Sequence, residues 1–261
     1  MLASRAFAVT TPKHWRKLSW EEVRQVLRSA FIEWQTLPER VLTDNELSLA
    51  GNPTDPFPSS LTLWLVGLGV SHRFIRPHTP TDQPQIERNH RTLDGFTFDE
   101  ASRANLSAFQ QALDQERQLY NHHFPSQASD CAGRPPLVAH PELLQPTRPY
   151  HLAAEPVLFD LRRVYEYLAT FTFERTVNTV GQVSLKHHLY AIGRRHAGKA
   201  VRVRFDPHLG QWVFYEETEA DPQPELAKRD PKGLTFEALT GLHPEDLEPG
   251  EPLQLALPWP V

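Results

Sequence analysis

The sequence predicts a mixed α/β half, then a small all-β unit, then an acidic proline-rich tail. Three patterns carry that expectation. Between residues 5 and 120, short apolar strands alternate with stretches of helical periodicity. Between 171 and 215, short strands of alternating polarity follow one another across turn residues. From residue 216 onward, acids and prolines dominate. The divisions these patterns suggest are 1–125, a linker over 126–158, a strand-rich unit over 159–216 and a tail over 217–261.

The elements follow in order. Residues 5–10 alternate weakly and read as a strand. Ser19 and Glu22 form a capping box, in which each side chain satisfies a free backbone N–H, and open a helix. Val23, Val26, Leu27, Ala30, Phe31 and Trp34 recur on one face of it, and Pro38 ends it. A short strand over 40–43 runs into Asp44, and a loop over 51–60 carries Pro53, Pro56 and Pro58. A compact apolar helix over 61–68 and a strand over 70–75 come next. Pro84 suits the first position of a further helix, with Ile86 and Leu93 facing inward and Glu87 and Arg91 one turn apart on another face. Thr97 and Glu100 form a second capping box, opening a long helix to about Tyr120 with Leu106, Phe109, Leu113 and Tyr120 as its stripe.

A short helix over 159–168 precedes strands at 171–177, 180–185, 199–205 and 211–215. In the third of these, Val201, Val203 and Phe205 point one way and Arg202 and Arg204 the other. Residues 206–210 make the turn before Trp212. The tail is expected to be loosely ordered, although 234–242 has enough leucine to dock. Trp15, Trp20, Trp34 and Trp64 read as core residues rather than base-stacking platforms.

Composition narrows the function. The chain has 261 residues, 39% of them apolar, enough for a real core. Its longest apolar stretch, residues 61–70, is far short of the ~20 residues that span a bilayer. No charged-then-apolar leader pattern opens it. A single cysteine, Cys131, allows no internal disulfide and no zinc site built on paired cysteines, which suits a reducing cytoplasm and no membrane partner. The histidine pairs His122–His123 and His187–His188 are expected to be solvated, because neighbours on a strand face opposite ways.

The net charge of −5 hides an asymmetry. Residues 175–204 hold seven cations and no acid, whereas residues 216–251 sum to −8. A basic block beside an acidic tail suits a polyanion binder; the plainer reading is a solvated strand face beside a solvated tail.

Two carboxylates stand out. Asp44 ends a strand, where side chains of α/β sheets converge on reaction sites, and Glu87 lies on a helix approached by a proline-rich loop. Brought together, they would offer hard oxygen ligands to a divalent metal. On spacing alone, an Asp after a strand is usually a turn or cap residue, and Glu87 with Arg91 usually a surface ion pair.

The stretch Leu37-Pro38-Glu39-Arg40-Val41-Leu42-Thr43-Asp44-Asn45-Glu46 resembles the second-aspartate strand of DDE transposases and retroviral-integrase-like recombinases. Gly69-Val70-Ser71-His72-Arg73-Phe74-Ile75-Arg76-Pro77 resembles the strand that follows in that family, and Pro80-Thr81-Asp82-Gln83-Pro84-Gln85-Ile86-Glu87-Arg88-Asn89-His90-Arg91-Thr92-Leu93 its glutamate helix. The resemblance covers about residues 4–124. Later, Gly181-Gln182-Val183-Ser184-Leu185, Tyr190-Ala191-Ile192-Gly193 and Val201-Arg202-Val203-Arg204-Phe205-Asp206 resemble, less specifically, the C-terminal β-barrel of Mu-type transposases.

The resemblance implies a ribonuclease-H-like core followed by a small all-β barrel. It implies cutting and joining of double-stranded DNA, both transposon ends and target, dependent on Mg²⁺ or Mn²⁺, by a homo-oligomer when functional. Three acids hold the metals in such relatives; Asp44 takes the second place and Glu87 the third, 43 positions apart. No Asp precedes Asp44, and the only earlier acids are Glu21, Glu22, Glu33 and Glu39. The relatives' first aspartate ends a central strand whose place falls at or before Met1, so the expectation is an N-terminally truncated core lacking that strand. Arg73, Arg76, Arg88, His90 and Arg91 would contact phosphates near Glu87, or be ordinary surface. Lys186, Arg194, Arg195, Lys199, Arg202 and Arg204 would form a DNA-facing side of the barrel, or be spread around it.

The expected function is thus DNA transposition or integration by a partial or inactive DDE-type polynucleotidyl transferase. The rival is a non-catalytic DNA-binding or regulatory fragment that joins or inhibits a transposase assembly. A simple metal nuclease is a third option.

Overall fold

A computed structural model describes residues 19–43, 56–74, 105–126, 128–218 and 224–243. The strand expected at 5–10, Trp15, the helix opened by Pro84 and the capping box of Thr97 and Glu100 lie outside the described residues. Among the described residues, one compact unit gathers 24–38 and 105–151, and the other 19–23, 39–74 and 152–243. No helix among them is long and apolar enough to cross a membrane.

Helix α1 (Trp20–Trp34) opens as its sequence specifies. The Ser19 amide donates to Glu22 Oε2 at 2.7 Å, and the Glu22 amide to Ser19 Oγ at 3.3 Å. It ends earlier than Pro38 requires, because Gln35 turns left-handed at φ 52°. Its most buried side chains include Arg24 and Arg28 beside Ala30 and Phe31, while Val23, Val26 and Leu27 are half-buried. Long arginine stems cover apolar surface like aliphatic groups, a use that hydrophobic periodicity does not register.

In the first unit the chain after α1 pairs with residues 148–150. Leu37 N–H donates to the Arg148 carbonyl, Tyr150 N–H to the Gln35 carbonyl, and Tyr150 meets Phe31 edge-on. Helix α3 (Leu106–His122) has Asn105, not Thr97, as the cap of its described first turn, with Asn105 Oδ1 accepting from the Ala108 amide. Its Arg117 is paired with Glu33. Residues expected to be a linker contain helix α4 (Pro136–Ala139) and the 3₁₀ turn Pro141–Leu144.

The second unit contains strand β1 (Arg40–Thr43), helix α2 (Ser60–Gly67) and strand β2 (Ser71–Phe74). β1 and β2 are parallel, in register Arg40 to Ser71 through Thr43 to Phe74, and parallel neighbours need a crossover, here containing α2. Ser59 caps α2 by accepting from the Thr62 amide. Leu61, Leu63, Trp64 and Leu65 of α2 are all buried, as its unbroken apolar composition requires. Trp64 Nε1 donates to the buried Glu155 at 2.9 Å. Gly67 lies so close to Phe159 that a Cβ there would overlap the ring. Glu155 and Phe159 belong to helix α5 (Glu155–Leu158) and its C-cap, just before helix α6 (Leu161–Ala169).

The remaining strands are β3 (Thr172–Thr176), β4 (Gln182–Leu185), β5 (His188–Ala191), β6 (Ala200–Asp206), β7 (Gln211–Glu216) and β8 (Glu225–Arg229). They pair as an antiparallel four-stranded sheet, β3-β6-β7-β8, and a separate hairpin, β4-β5. Val201, Val203 and Phe205 are buried and Arg202 and Arg204 are not, as the alternation predicts. Phe57, Phe173, Phe205 and Trp212 form an aromatic cluster with ring centroids 4.7–5.9 Å apart. Two elements arise where loose order was expected: β8, and helix α7 (Phe236–Thr240), around which Leu234, Leu239 and Leu242 are buried.

Candidate nucleic-acid interface and carboxylate strand

Asp44, Arg76, Glu87, Arg88, His90 and Arg91 lie outside the described residues. What is described is the scaffold that leads to Asp44. β1 ends at Thr43, whose Oγ1 is 3.0 Å from His72 Nε2 on the parallel strand. His72 Nδ1 is 2.9 Å from Thr62 Oγ1, and that hydroxyl is 2.8 Å from Ser59 Oγ at the start of α2. One polar chain thus ties helix cap, neighbouring strand and strand end together, immediately before the candidate carboxylate. A neutral imidazole donates through one nitrogen and accepts through the other, which two hydroxyl partners accommodate.

Burial pushes the His72 imidazole down to about 4, so it is neutral in the folded protein near neutral pH. The folded state therefore gains nothing from protonation between the unfolded value of about 6.5 and 4. This contribution to stability is complete above about pH 6.5 and is lost as pH falls through 4. His72→Asn should flatten the decline of the urea midpoint across that window; parallel profiles for the two proteins would refute the assignment.

Arg73, next on β2, is exposed. Its charge opposes the larger effect of burial on Tyr167, whose phenol is pushed up overall. The cations of the β-rich part do not stand as a bare stripe. Arg202 lies on β6, 3.9 Å from Glu174 on β3 and 3.4 Å from Glu217 just after β7. Lys199 pairs with Glu216 at 2.7 Å, and its hydrogen bond holds that carboxyl below the usual range. Arg204 Nε donates to Thr172 Oγ1, and Arg195 Nε to His196 Nε2. Arg194 is exposed in the turn Arg194–His196. Lys186 is least like a surface cation: burial lowers its ammonium to about 8, and it lies 5.9 Å from the centre of the Phe57 ring. Exposed ion pairs contribute about 0–1 kcal/mol, so phosphates can displace such carboxylates readily.

Sequence reasoning counted Lys228, Arg229 and Lys232 only against the acids of the tail and did not foresee their contacts. Arg229 Nε donates to the Ala191 carbonyl, and Lys232 Nζ to the Leu189 carbonyl, fastening the end of β8 and the segment after it to β5. The acidic average of residues 216–251 concealed them. Of the histidine pairs, His123 and His187 are exposed, while His122, at the end of α3, and His188, on β5, are half-buried. Among the described residues the side chains that could together hold a metal are Asp130, Cys131 and His140.

Residues 68–132, a quarter of the chain, match the family model described as Integrase core domain. The match begins at Leu68, the C-cap of α2, and takes in β2, the Glu87 segment and α3; Asp44 lies before it. It supports a domain similar to those of retroviral integrases and DDE transposases, and the parallel β1-β2 pair with its helical crossover is compatible with a ribonuclease-H-like fold.

Proposed function

We propose that this chain handles DNA strands in transposition or integration, as the core and DNA-gripping part of a DDE-type transposase. The observation that carries the reading is the integrase-core match over 68–132 together with the strand–helix–strand unit whose first strand ends one position before Asp44 in the sequence. Asp44 and Glu87 would supply hard carboxylate oxygens, a donor set suited to Mg²⁺ or Mn²⁺. Bound there, such ions assist attack by a water or a DNA 3′-hydroxyl and stabilise the departing oxygen. The protein's own part is positional. The Ser59–Thr62–His72–Thr43 chain fixes the strand end before Asp44. Arg73, Arg76, Arg88, His90 and Arg91 would contact DNA phosphates, and Lys186, Arg194, Arg195, Lys199, Arg202 and Arg204 would grip duplex. Synapsis of two ends implies a homo-oligomer.

A second reading is a DNA-binding regulator without catalysis.

A strand-transfer assay on duplex ends with Mg²⁺ separates the two. The first reading expects joined products that Asp44→Asn abolishes. The second expects duplex binding with no joining. Under both, affinity falls with salt, and Arg204→Ala should reduce the slope of log K against log salt by about 1. An unchanged slope would remove β6 from the interface.

A further inference from the structure

We propose that Asp130, Cys131 and His140 form a zinc site, with the fourth position left to water. The donor atoms of the three side chains lie within 4.8 Å of one another. They come from one short segment folded back on itself. Cys131 N–H donates to the Ala128 carbonyl, Ala132 and Gly133 take left-handed φ values of 49° and 76°, and Arg134 N–H returns to the Cys131 carbonyl. Helix α4 follows, and the His140 amide closes on the Pro136 carbonyl, setting the imidazole beside the thiol.

The imidazole shows the polarity a metal ligand needs. Its Nδ1 is 2.9 Å from Glu142 Oε1, which must accept, so Nδ1 carries a proton. In the neutral ring Nε2 then presents a lone pair. That Nε2 is shielded from solvent and has no hydrogen-bond partner, with Asp130 Oδ2 3.8 Å away, too far for a hydrogen bond. A buried lone pair facing a carboxylate and a sulfur leaves three electron-rich atoms around one point. A cation relieves that, whereas an imidazolium would leave its Nε2–H unsatisfied. The carboxylate–imidazole–donor arrangement is how metal-binding histidines are oriented and made more basic.

The donor set selects the ion. A thiolate with imidazole favours a borderline-soft cation over Mg²⁺ or Ca²⁺, and zinc accepts sulfur, nitrogen and oxygen together. Tetrahedral zinc with bonds of about 2.0–2.3 Å needs donors roughly 3.5 Å apart, so the three groups need only draw in slightly. The site is independent of Asp44 and Glu87 and of the catalytic reading. Its role is a clamp: it fixes residues 130–134 to the end of α4, so metal occupancy adds to stability.

The test uses the full chain freed of metal by chelation and titrated with Co²⁺. Expected is saturation with a thiolate-to-Co²⁺ charge-transfer band and tetrahedral visible bands, both displaced by Zn²⁺, and a rise in Tm with Zn²⁺. Cys131→Ser should lose the charge-transfer band, and His140→Gln should lose tight binding. Glu142→Gln, which keeps all three ligands, should weaken binding by about 10- to 100-fold. No thiolate band in the wild type would overturn the proposal, as would a band or Tm rise undiminished in His140→Gln. Circular dichroism matching the wild type ensures that the lost signal in a variant is lost ligation.

Discussion

Trp64→Ala is expected to cost about 3–5 kcal/mol. Trp64 is fully buried on α2 between other buried side chains, so removal of the indole leaves a cavity its neighbours cannot close. It also deletes the Nε1–H that donates to the buried Glu155 at 2.9 Å, the bond that joins α2 to the segment opening α5 and α6. Trp64→Phe separates the two contributions. It keeps most of the apolar volume and loses the donor, so its cost should be about 1–3 kcal/mol. Chemical denaturation of the three proteins, followed by far-ultraviolet circular dichroism, gives the comparison. Equal losses for Ala and Phe would mean that the hydrogen bond, not the packing, holds α2.

Trp64 also marks where sequence reasoning succeeds. α2 is apolar on every side, and such a helix has to be enclosed. The Ser19–Glu22 box and the β6 alternation were legible for the same reason: each rests on neighbours a few positions apart. Elements that depend on distant partners were not. β8 reads as acidic tail until its pairing with β7 is seen, and the leucines of 234–242 say that the segment can dock without saying on what. The β4-β5 turn was invisible because Lys186 and His187 occupy left-handed conformations, φ 46° and 64°, where asparagine and glycine would normally announce a hairpin.

The candidate site divides in the same way. Asp44 and Glu87 were picked out by motif order, which needs no geometry. The compensation of Arg202 and Lys199 by Glu174, Glu216 and Glu217 required strand register, so two of the seven positive charges in the block are locally offset in the folded protein. Asp130, Cys131 and His140 escaped notice because the thiol and the imidazole are nine positions apart, and only two consecutive left-handed residues and a four-residue helix bring them together.

Gly181→Ala is expected to cost about 2–4 kcal/mol, and the reason distinguishes it from the other glycines of this part of the chain. Its φ of +84° is unfavourable for any side chain, worth about 1–2 kcal/mol. A Cβ would in addition lie 2.4 Å from the Arg194 nitrogen and 2.5 Å from the Gly193 carbonyl carbon, and backbone cannot swing aside like a side-chain tip. The close approach has a function: the Gly181 carbonyl accepts from both Ile192 and Gly193, joining the turn before β4 to the end of β5. Gly198→Ala is the control. Its φ is +79°, yet nothing lies within 4 Å of where its Cβ would go, so it should lose only the conformational part. Because the obstructed backbone carries Arg194 and Arg195, Gly181→Ala should also weaken duplex binding more than Gly198→Ala does, under conditions where both are folded. If the two alanine variants lost equal stability in denaturant titrations, close approach would not be what requires glycine at 181, and Arg194 would not owe its position to that contact.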